Sequence, residues 1–471
     1  MKILIRAAVL TAALVSGAGC AVVPIDRATD NVAKRVDERV GAAPQWAPDT
    51  GEANAEAAPQ FETPMTLSAA LKLAFTRNPG IHRLYARLGS AHADLQEAAR
   101  IANPTLSFAW LDPSNGGRDQ TKQGISATFA DLLLLSSRRR LSTAEFRRLE
   151  LTVAADLVAL AREVEATWYA HLGALQIAAM RDAVAQAAEN EAALARRYYE
   201  AGNINRLQLD LQTAAAARAR IDALRAQSNA AASRAGLARL LGLRADAAWQ
   251  TIDRLPAPPE VPLPGDKLLP QALNQRLDLA AVRDEVSILE DSLGVTKNWR
   301  LLGSVEAGYE SEREPDGSKL RGPKLIFELP LFNQGQGAVE RAEARLLDAR
   351  ARRDALVRDV ENEVSTGIER VTIARDITDR YRDSLVPSAA SAVARRQERV
   401  NFMLDGVFEL IRAKRDEYEA WQAYFESVRD YWIARTALRA AVGGSLPGDE
   451  EAGASTIGVD EIEHMDQGEQ P

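Results

Sequence analysis

Apolar positions recur along this chain in two rhythms. After Phe146, the positions Leu149, Val153, Leu157, Leu160, Val164, Trp168, Leu172 and Leu175 follow at steps of three or four, which places them on one stripe of an α-helix. No proline occurs between Pro113 and Pro256, so nothing breaks that rhythm. The spacing predicts a helix from about Ser137 to Ala201, on the order of 100 Å long at the helical rise per residue. A helix of that length needs a partner along it, and the segment from about Ile204 to Leu241 supplies the return arm of a hairpin. Its alanines, Ala214 to Ala217 among them, let neighbouring helices approach closely.

Elsewhere the period drops to two. From Thr105 to Leu111, Leu106, Phe108 and Trp110 alternate with Thr105, Ser107 and Ala109, and a second strand from Gln123 to Leu133 follows a Gly-, Asn- and Asp-rich turn. Further on, Val305, Ala307 and Tyr309 alternate with Ser304, Glu306 and Gly308, and Lys324 to Phe332 alternates around Leu325, Phe327 and Leu329. One apolar and one polar face per strand suits a membrane β-barrel with lipid outside and water inside; soluble hairpins capping a helical rod are the alternative. Barrels close with about eight strands or more, and an open sheet edge in lipid leaves backbone groups unpaired. Four strands that span a membrane therefore require several chains in one barrel.

The same unit occurs twice. Leu67-Ser68-Ala69-Ala70-Leu71, running on through Asn78-Pro79, matches Leu269-Pro270-Gln271-Ala272-Leu273, running on through Arg276 to Leu279, each opening a helix of about two dozen residues. Arg196-Arg197 precede a turn at Ala201-Gly202-Asn203, and Arg395-Arg396 precede one at Asp405-Gly406. Gly236 to Gly242 and Ala437 to Gly443 close the copies, and these landmarks stand about 200 positions apart. In the second copy Pro387 predicts a kink or break in the long helix. The resulting organisation is 1–20 signal peptide, 21–63 extended leader, 64–255 first repeat, 256–445 second repeat and 446–471 acidic, disordered tail.

Composition removes whole classes of function. Among 471 residues only four are histidine and one is cysteine, which leaves little to build a Cys/His metal site. The net charge of −8, with no basic domain, argues against a nucleic-acid partner. No nucleophile-base pair or phosphate loop points to an enzyme, and no cofactor site is expected. His82 and His92 do not share a face at metal-ligand spacing, His171 falls beside the Trp168/Leu172 stripe, and His464 lies in the tail. Arg138-Arg139-Arg140 reads as a solvated or membrane-surface cluster, and Trp421, Tyr424, Tyr431 and Trp432 as core or inter-chain packing. At the N-terminus, Lys2 and Arg6 precede the apolar run Ala7 to Val15, which is too short to span a bilayer and reads as an export signal. It ends in Ser16-Gly17-Ala18-Gly19-Cys20, similar to a lipobox with Gly17 at the usual Leu position, so Cys20 is either lipidated or left as a free thiol by ordinary cleavage nearby.

From Thr66 to Gly444 the pattern resembles the TolC-like family of outer-membrane efflux proteins. The carriers of the resemblance are Leu67 to Pro79, the turn Arg197-Tyr198-Tyr199-Glu200-Ala201-Gly202, and Leu329-Pro330-Leu331-Phe332-Asn333-Gln334-Gly335, in that order and duplicated. The resemblance implies a mainly α fold with a small transmembrane β part. Duplicated long helical hairpins would form an α-helical barrel, and four β-strands per chain would contribute to a trimeric 12-stranded outer-membrane β-barrel. It further implies a lipid-anchored (palmitate-bearing) protein of the Gram-negative outer membrane, extending into the periplasm and passively conducting substrate. The implied partners are outer-membrane lipid, a periplasmic adaptor (membrane fusion protein) and an inner-membrane pump of the RND type. By position, the adaptor-docking tips are Gly202, Asn203, Arg206 and Leu207, and Gly406, Val407 and Phe408; the alternative for the glycines is that they only make the turns. Glu398, Asp405 and Glu409 are candidates for a carboxylate gate, with Arg396 and Arg399 as partners, against the default that charges on a long helix face water. The stretch Asn401 to Leu410 leans toward heavy-metal efflux, with organic compounds the other cargo class. The competing reading is a periplasmic coiled-coil adaptor or scaffold lipoprotein without a channel.

Overall fold

No β-branched residue occurs from Phe129 to Ser142, and leucine, alanine and arginine supply most of that stretch. Helix propensity therefore takes over immediately after the β-branched Thr128. In the computed structural model, which describes residues 25–44, 64–112, 119–244, 246–301, 305–449 and 456–457, the long helix runs from Phe129 to Glu200, 72 residues. It starts ahead of the expected Ser137, and the strand expected to reach Leu133 stops at Thr128.

In chain order the elements are helices α1 (Ile25–Val40), α2 (Leu67–Arg77) and α3 (Pro79–Ala98), strands β1 (Thr105–Leu111) and β2 (Gln120–Thr128), then helices α4 (Phe129–Glu200) and α5 (Arg206–Leu240). After the short β3 (Leu255–Pro256), the same order returns as α6 (Gly265–Gln275), α7 (Leu277–Trp299), β4 (Val305–Arg313), β5 (Lys319–Phe327) and α8 (Gln336–Arg380). A π-helical turn (Tyr381–Leu385), α9 (Val386–Asn401), α10 (Val407–Val442) and β6 (Thr456–Ile457) complete it. The chain forms two compact units that cut across the sequence repeats: one gathers Leu84–Val153 with Asp278–Leu356, the other Ala33–Arg83, Ala154–Leu277 and the residues from Val357 on.

The first unit holds one antiparallel sheet of order β1-β2-β4-β5. β5 begins at Lys319 rather than the expected Lys324 because the turn Glu314–Ser318 closes early: Glu314 N–H donates to the Ser318 carbonyl at 3.0 Å, and the Ser318 N–H donates to Asp316 Oδ1 at 2.7 Å. Pro323 sits within this strand, opposite Tyr309. Between α7 and α8, Val286, Leu346 and Ala349 form a small core with Leu289 and Leu293, flanked by the pairs Arg350–Glu290 at 2.6 Å and Lys297–Glu343 at 2.7 Å.

In the second unit α4 is buried on most sides, with Leu157, Val164, Trp168 and Leu172 at 0–1% exposure. Tyr169 stacks on Trp432 at 5.0 Å, and the Trp432 indole N–H donates to the Pro256 carbonyl at 2.7 Å. Trp421, Tyr424, Tyr431 and Trp432 are thus core of this chain, one of the two readings the sequence left open.

Both opening helices, expected to be single, break in the same way. Asn78 (φ −67°, ψ 120°) and Arg276 (φ −64°, ψ 121°) leave the helical region while their N–H groups still donate to Ala74 and Ala272. Pro79 enforces the first break by restricting the residue before it. The second has no proline and is held by packing: Gly443, in a left-handed conformation at φ 74°, lies so close that a Cβ would stand 3.0 Å from Arg276 Cγ. Gly242 (φ 67°) caps α5 against the Arg77 carbonyl in the matching way.

Three further expectations change. Residues 25–40 are helical rather than extended, because Ala28, Val32 and Val36 recur every four residues and are fully buried. Pro387 produces a π-turn instead of a break: the ladder widens over Tyr381–Leu385 just before the proline that cannot donate, and helix resumes at Val386. Residues 446–449 are packed rather than tail-like, with Leu446 at 3% exposure and the Asp449 carboxylate accepting from the Leu446 N–H at 2.7 Å. β6 pairs with β3.

Two glycines in α5 and its cap test this packing with opposite signs. Gly242→Ala should destabilise the protein by about 1–3 kcal/mol, since it adds a clash to a positive φ. Gly236→Ala, with open space around its Cβ position, should be neutral or stabilising by up to about 1 kcal/mol. Denaturant unfolding in detergent reads both.

Candidate functional site

At each end of a long hairpin, backbone geometry repeats residue for residue. After α4, the N–H groups of Gly202 and Asn203 donate to the carbonyls of Tyr199 (2.9 Å) and Tyr198 (2.8 Å); after α9, those of Met403 and Leu404 donate to Val400 (2.9 Å) and Arg399 (2.8 Å). Gly202 has φ 77° and Met403 φ 59°. The glycine expected to supply the reversal at the second turn, Gly406, instead caps α10 in extended geometry at φ −81°. Met403 therefore occupies the left-handed position at a strain of about 1–2 kcal/mol. At the first turn Asn205 caps α5 in a reciprocal box with Gln208, the two bonds measuring 2.9 and 3.1 Å.

The two turns differ in surface. Arg206 pairs with Asp210 at 3.0 Å, its guanidinium 5.9 Å from the Tyr199 ring centre, with Leu207 exposed beside it. Phe402, Met403 and Leu404 are 78%, 93% and 65% exposed, so the second turn presents an apolar tip. Phe408 and Tyr198 meet edge to face at 6.3 Å and tie the hairpins together; Val407 is half-buried.

Of the three gate candidates, Asp405 is already engaged within its own turn. Arg396 Nη1 donates to it at 2.6 Å, and Arg399 Nε and Nη2 at 2.8 and 3.0 Å. Hydrogen bonds from Arg399 and Arg396 hold its carboxyl down to about 2. Glu398 is exposed and Glu409 half-buried, on the helix ends either side. Cys20 lies outside the described residues.

In the sheet, the register sorts side chains into two faces. Directly opposed residues share a face, which gives the rows Trp110–Thr121–Arg313–Lys319, Phe108–Gln123–Ser311–Arg321 and Leu106–Ile125–Tyr309–Pro323, then Ala127–Ala307–Leu325 and Val305–Phe327. Leu106, Ile125, Tyr309, Leu325 and Phe327 on this face are about half exposed or more, with no apolar partner surface among the described residues. The other face carries Ser107, Lys122, Glu306, Glu310, Glu312 and Lys324, together with the exposed Leu111, Leu320 and Ile326. There Lys122 pairs with Glu312 at 3.1 Å and Lys324 with Glu310 at 3.4 Å. The outer strands β1 and β5 each have one edge without a partner strand among the described residues.

The sequence reading missed a buried ion cluster. Arg162 chelates Glu165 (2.7 and 2.9 Å), Arg439 bridges Glu165 (3.3 Å) and Asp449 (2.7 Å), and Arg435 adds a second guanidinium to Asp449 (2.8 Å). Arg162, Glu165, Arg435 and Arg439 are each at most 6% exposed. Arg162 also donates to the carbonyls of Arg39 (2.7 Å) and Gly444 (3.3 Å), so the cluster fastens chain entering and leaving the bundle. Burial alone would raise the Asp449 pKa, but the charge and hydrogen bond of Arg439 outweigh it and the net direction is down. A signal existed: Glu165 lies between Val164 and Trp168 on the apolar stripe, one turn from Arg162. Nearby, His171 is core: it hydrogen-bonds Ser233 Oγ at 2.9 Å, and burial, with Arg234, pushes its pKa down to about 4. Among the described residues no group of three or more His, Cys, Asp or Glu is placed to hold a metal, and no helix is long and apolar enough to cross a membrane.

Three outcomes follow. Asp449→Asn should cost about 3–5 kcal/mol in unfolding experiments, as expected when a buried ion network loses its anion. Met403→Gly should stabilise the second turn by about 1 kcal/mol, read as slower amide exchange at Met403 and Leu404. The Asp405 clasp, with a folded pKa of about 2 below the ordinary carboxylate value, should contribute fully above pH ~4 and be lost as pH falls through about 2, which a carboxyl NMR titration reads.

No family model and no curated protein matches the chain. Solved structures do. The Campylobacter jejuni outer membrane channel CmeC superposes with a TM-score of 0.69 at 15% identity, covering 85% of this chain and 89% of that one. CusC, described through its transmembrane channel formation, gives 0.67 at 16% identity over 80% and 92%. The outer membrane protein VceC of Vibrio cholerae gives 0.65 at 18% identity over 80% and 96%. The duplicated hairpins, the four-stranded amphipathic sheet and these superpositions together give the chain the fold of the TolC-like outer-membrane channels.

Proposed function

We propose that this protein is the outer-membrane channel of a tripartite efflux or secretion system and passively conducts substrate delivered by a periplasmic adaptor and an inner-membrane pump of the RND type. The observation that carries the reading is the sheet: one face is apolar and exposed from Leu106 to Phe327, the other carries the ion pairs Lys122–Glu312 and Lys324–Glu310, and both edges lack a partner strand among the described residues. That combination needs lipid on one side, water on the other, and further copies of the chain at the edges. Three chains would supply 12 strands, four from each. The adaptor reading without a channel gives no role to a lipid-facing sheet. No bond-making chemistry is needed, since conduction requires only a hydrated passage and a gate.

In this proposal the hairpin turns form the periplasmic end. Gly202, Asn203, Arg206 and Leu207 and the turn Gly406-Val407-Phe408 meet the adaptor, and the exposed Phe402-Met403-Leu404 extends that surface. Asp405 acts as the fastening of its own turn, which leaves Glu398 and Glu409 as the carboxylates free to form a gate. Lipidation at Cys20 would anchor the chain to the inner leaflet of the outer membrane, and heavy-metal cations are the favoured cargo, on the stretch Asn401–Leu410.

Reconstitution of the purified full-length protein into planar bilayers tests the proposal. The expected result is discrete conductance steps, with a shift in cation selectivity when Glu398→Gln and Glu409→Gln are combined. A protein that leaves the bilayer silent under conditions where a known outer-membrane channel conducts would sink it.

A further inference from the structure

The apolar face of the sheet changes character toward one end. Rows from Leu106–Ile125–Tyr309–Pro323 to Val305–Phe327 contain no charge, whereas the two rows nearest the strand turns contain Arg313, Lys319 and Arg321. Arg313 and Lys319 are directly opposed, and Arg321 is two residues on from Lys319 along β5, a step of about 7 Å. All three are exposed. Trp110, 70% exposed, stands in the same row as Arg313 and Lys319. The contrast with the opposite face is direct. There Lys122 and Lys324 are each neutralised by a glutamate, at 3.1 and 3.4 Å, while among the described residues no carboxylate pairs with Arg313, Lys319 or Arg321.

Topology fixes which end this is. β1 follows α3, β2 enters α4, β4 follows α7 and β5 leads toward α8. All helix connections therefore leave the sheet at one end, and both strand turns lie at the other. Resting on the reading above, in which the helices occupy the periplasm, the cation rows face lipid at the outer leaflet. Trp110 stands two strands from Arg313 with Thr121 between them, about 10 Å away, and a tryptophan level with cations at the border of an apolar band is the composition of a membrane interface. Three unneutralised cations held there in a fixed array attract phosphate, and arginine adds bidentate geometry.

We propose that Arg313, Lys319 and Arg321, with Trp110 beside them, form a lipid-facing site for the phosphate-bearing headgroup of an outer-leaflet glycolipid. The indole would pack on acyl or sugar carbons while the cations hold phosphate. In a closed oligomer the site recurs once per chain, so the barrel would carry a ring of phosphorylated lipid that steadies it in the outer leaflet.

The test uses the full-length oligomer in lipid nanodiscs, with retained lipid counted by native mass spectrometry. Probes are a diphosphorylated lipid A and the same glycolipid with both phosphates removed. The wild type should retain the phosphorylated probe roughly tenfold or more over the dephosphorylated one, and the Arg313→Gln/Lys319→Gln/Arg321→Gln variant should lose that preference. The Lys122→Gln/Lys324→Gln variant should keep it. Equal retention of the two probes, an unchanged preference in the triple variant, or an equal loss in the Lys122/Lys324 control would overturn the site. Oligomer mass and conductance are read on the same preparation. An assembled, conducting oligomer indifferent to phosphate removes only this inference, whereas a protein that forms no channel removes the reading on which it rests as well.

Discussion

Hydrogen bonding at two strand edges governs this structure. The sheet ends in β1 on one side and β5 on the other, and each leaves a row of backbone donors and acceptors without a partner strand among the described residues. In water such an edge is tolerable. Beside a face carrying Leu106, Phe108, Trp110, Ile125, Tyr309, Leu325 and Phe327, all about half exposed or more, it is not, because hydrocarbon offers no hydrogen bonds and each orphan group costs several kcal/mol. The apolar face calls for lipid, lipid calls for closed edges, and closure calls for further copies. The paired charges on the opposite face fit a wet interior in the same scheme.

The helices meet a different demand. Helices as long as α4 and α10 must be held in register, and the buried ion cluster supplies fixed points within the second unit. Arg162, Glu165, Arg435, Arg439 and Asp449 hydrogen-bond one another and three backbone carbonyls, those of Arg39, Gly444 and Pro447, while Nε of Arg162 and of Arg439 stay buried without a partner. Breaking one member costs far more than a surface pair would, so the cluster specifies where chain enters and leaves the bundle. At the turns, specification is local: a capping box on one side, and a doubly held aspartate with a strained methionine on the other.

Most of the architecture was legible because it is periodic. The stripe from Phe146 to Leu175 and the alternation from Thr105 to Leu111 each follow from one repeat distance, and both elements formed. What was not legible depended on partners far apart in sequence. The second helix break at Arg276 has no proline and rests on Gly443, and residues 446–449 look like acidic tail until arginines of α10 meet Asp449. At the second turn the rule that glycine takes positive φ pointed to Gly406, whereas the backbone hydrogen bonds assign that role to Met403. Asp405 was singled out with its partners Arg396 and Arg399 in view, and the structure joins them as a clasp.

The central claim, that the two open edges close on other copies, is tested most directly by cross-linking across the seam. A single cysteine is placed in β1 and another in β5, with Cys20 replaced, and the membrane-extracted particle is weighed before and after oxidation. The account predicts a particle of three chains in which oxidation links β1 of one copy to β5 of the next, with the covalent trimer as end product. A particle with the mass of one chain, or cross-links confined within single chains, would contradict it.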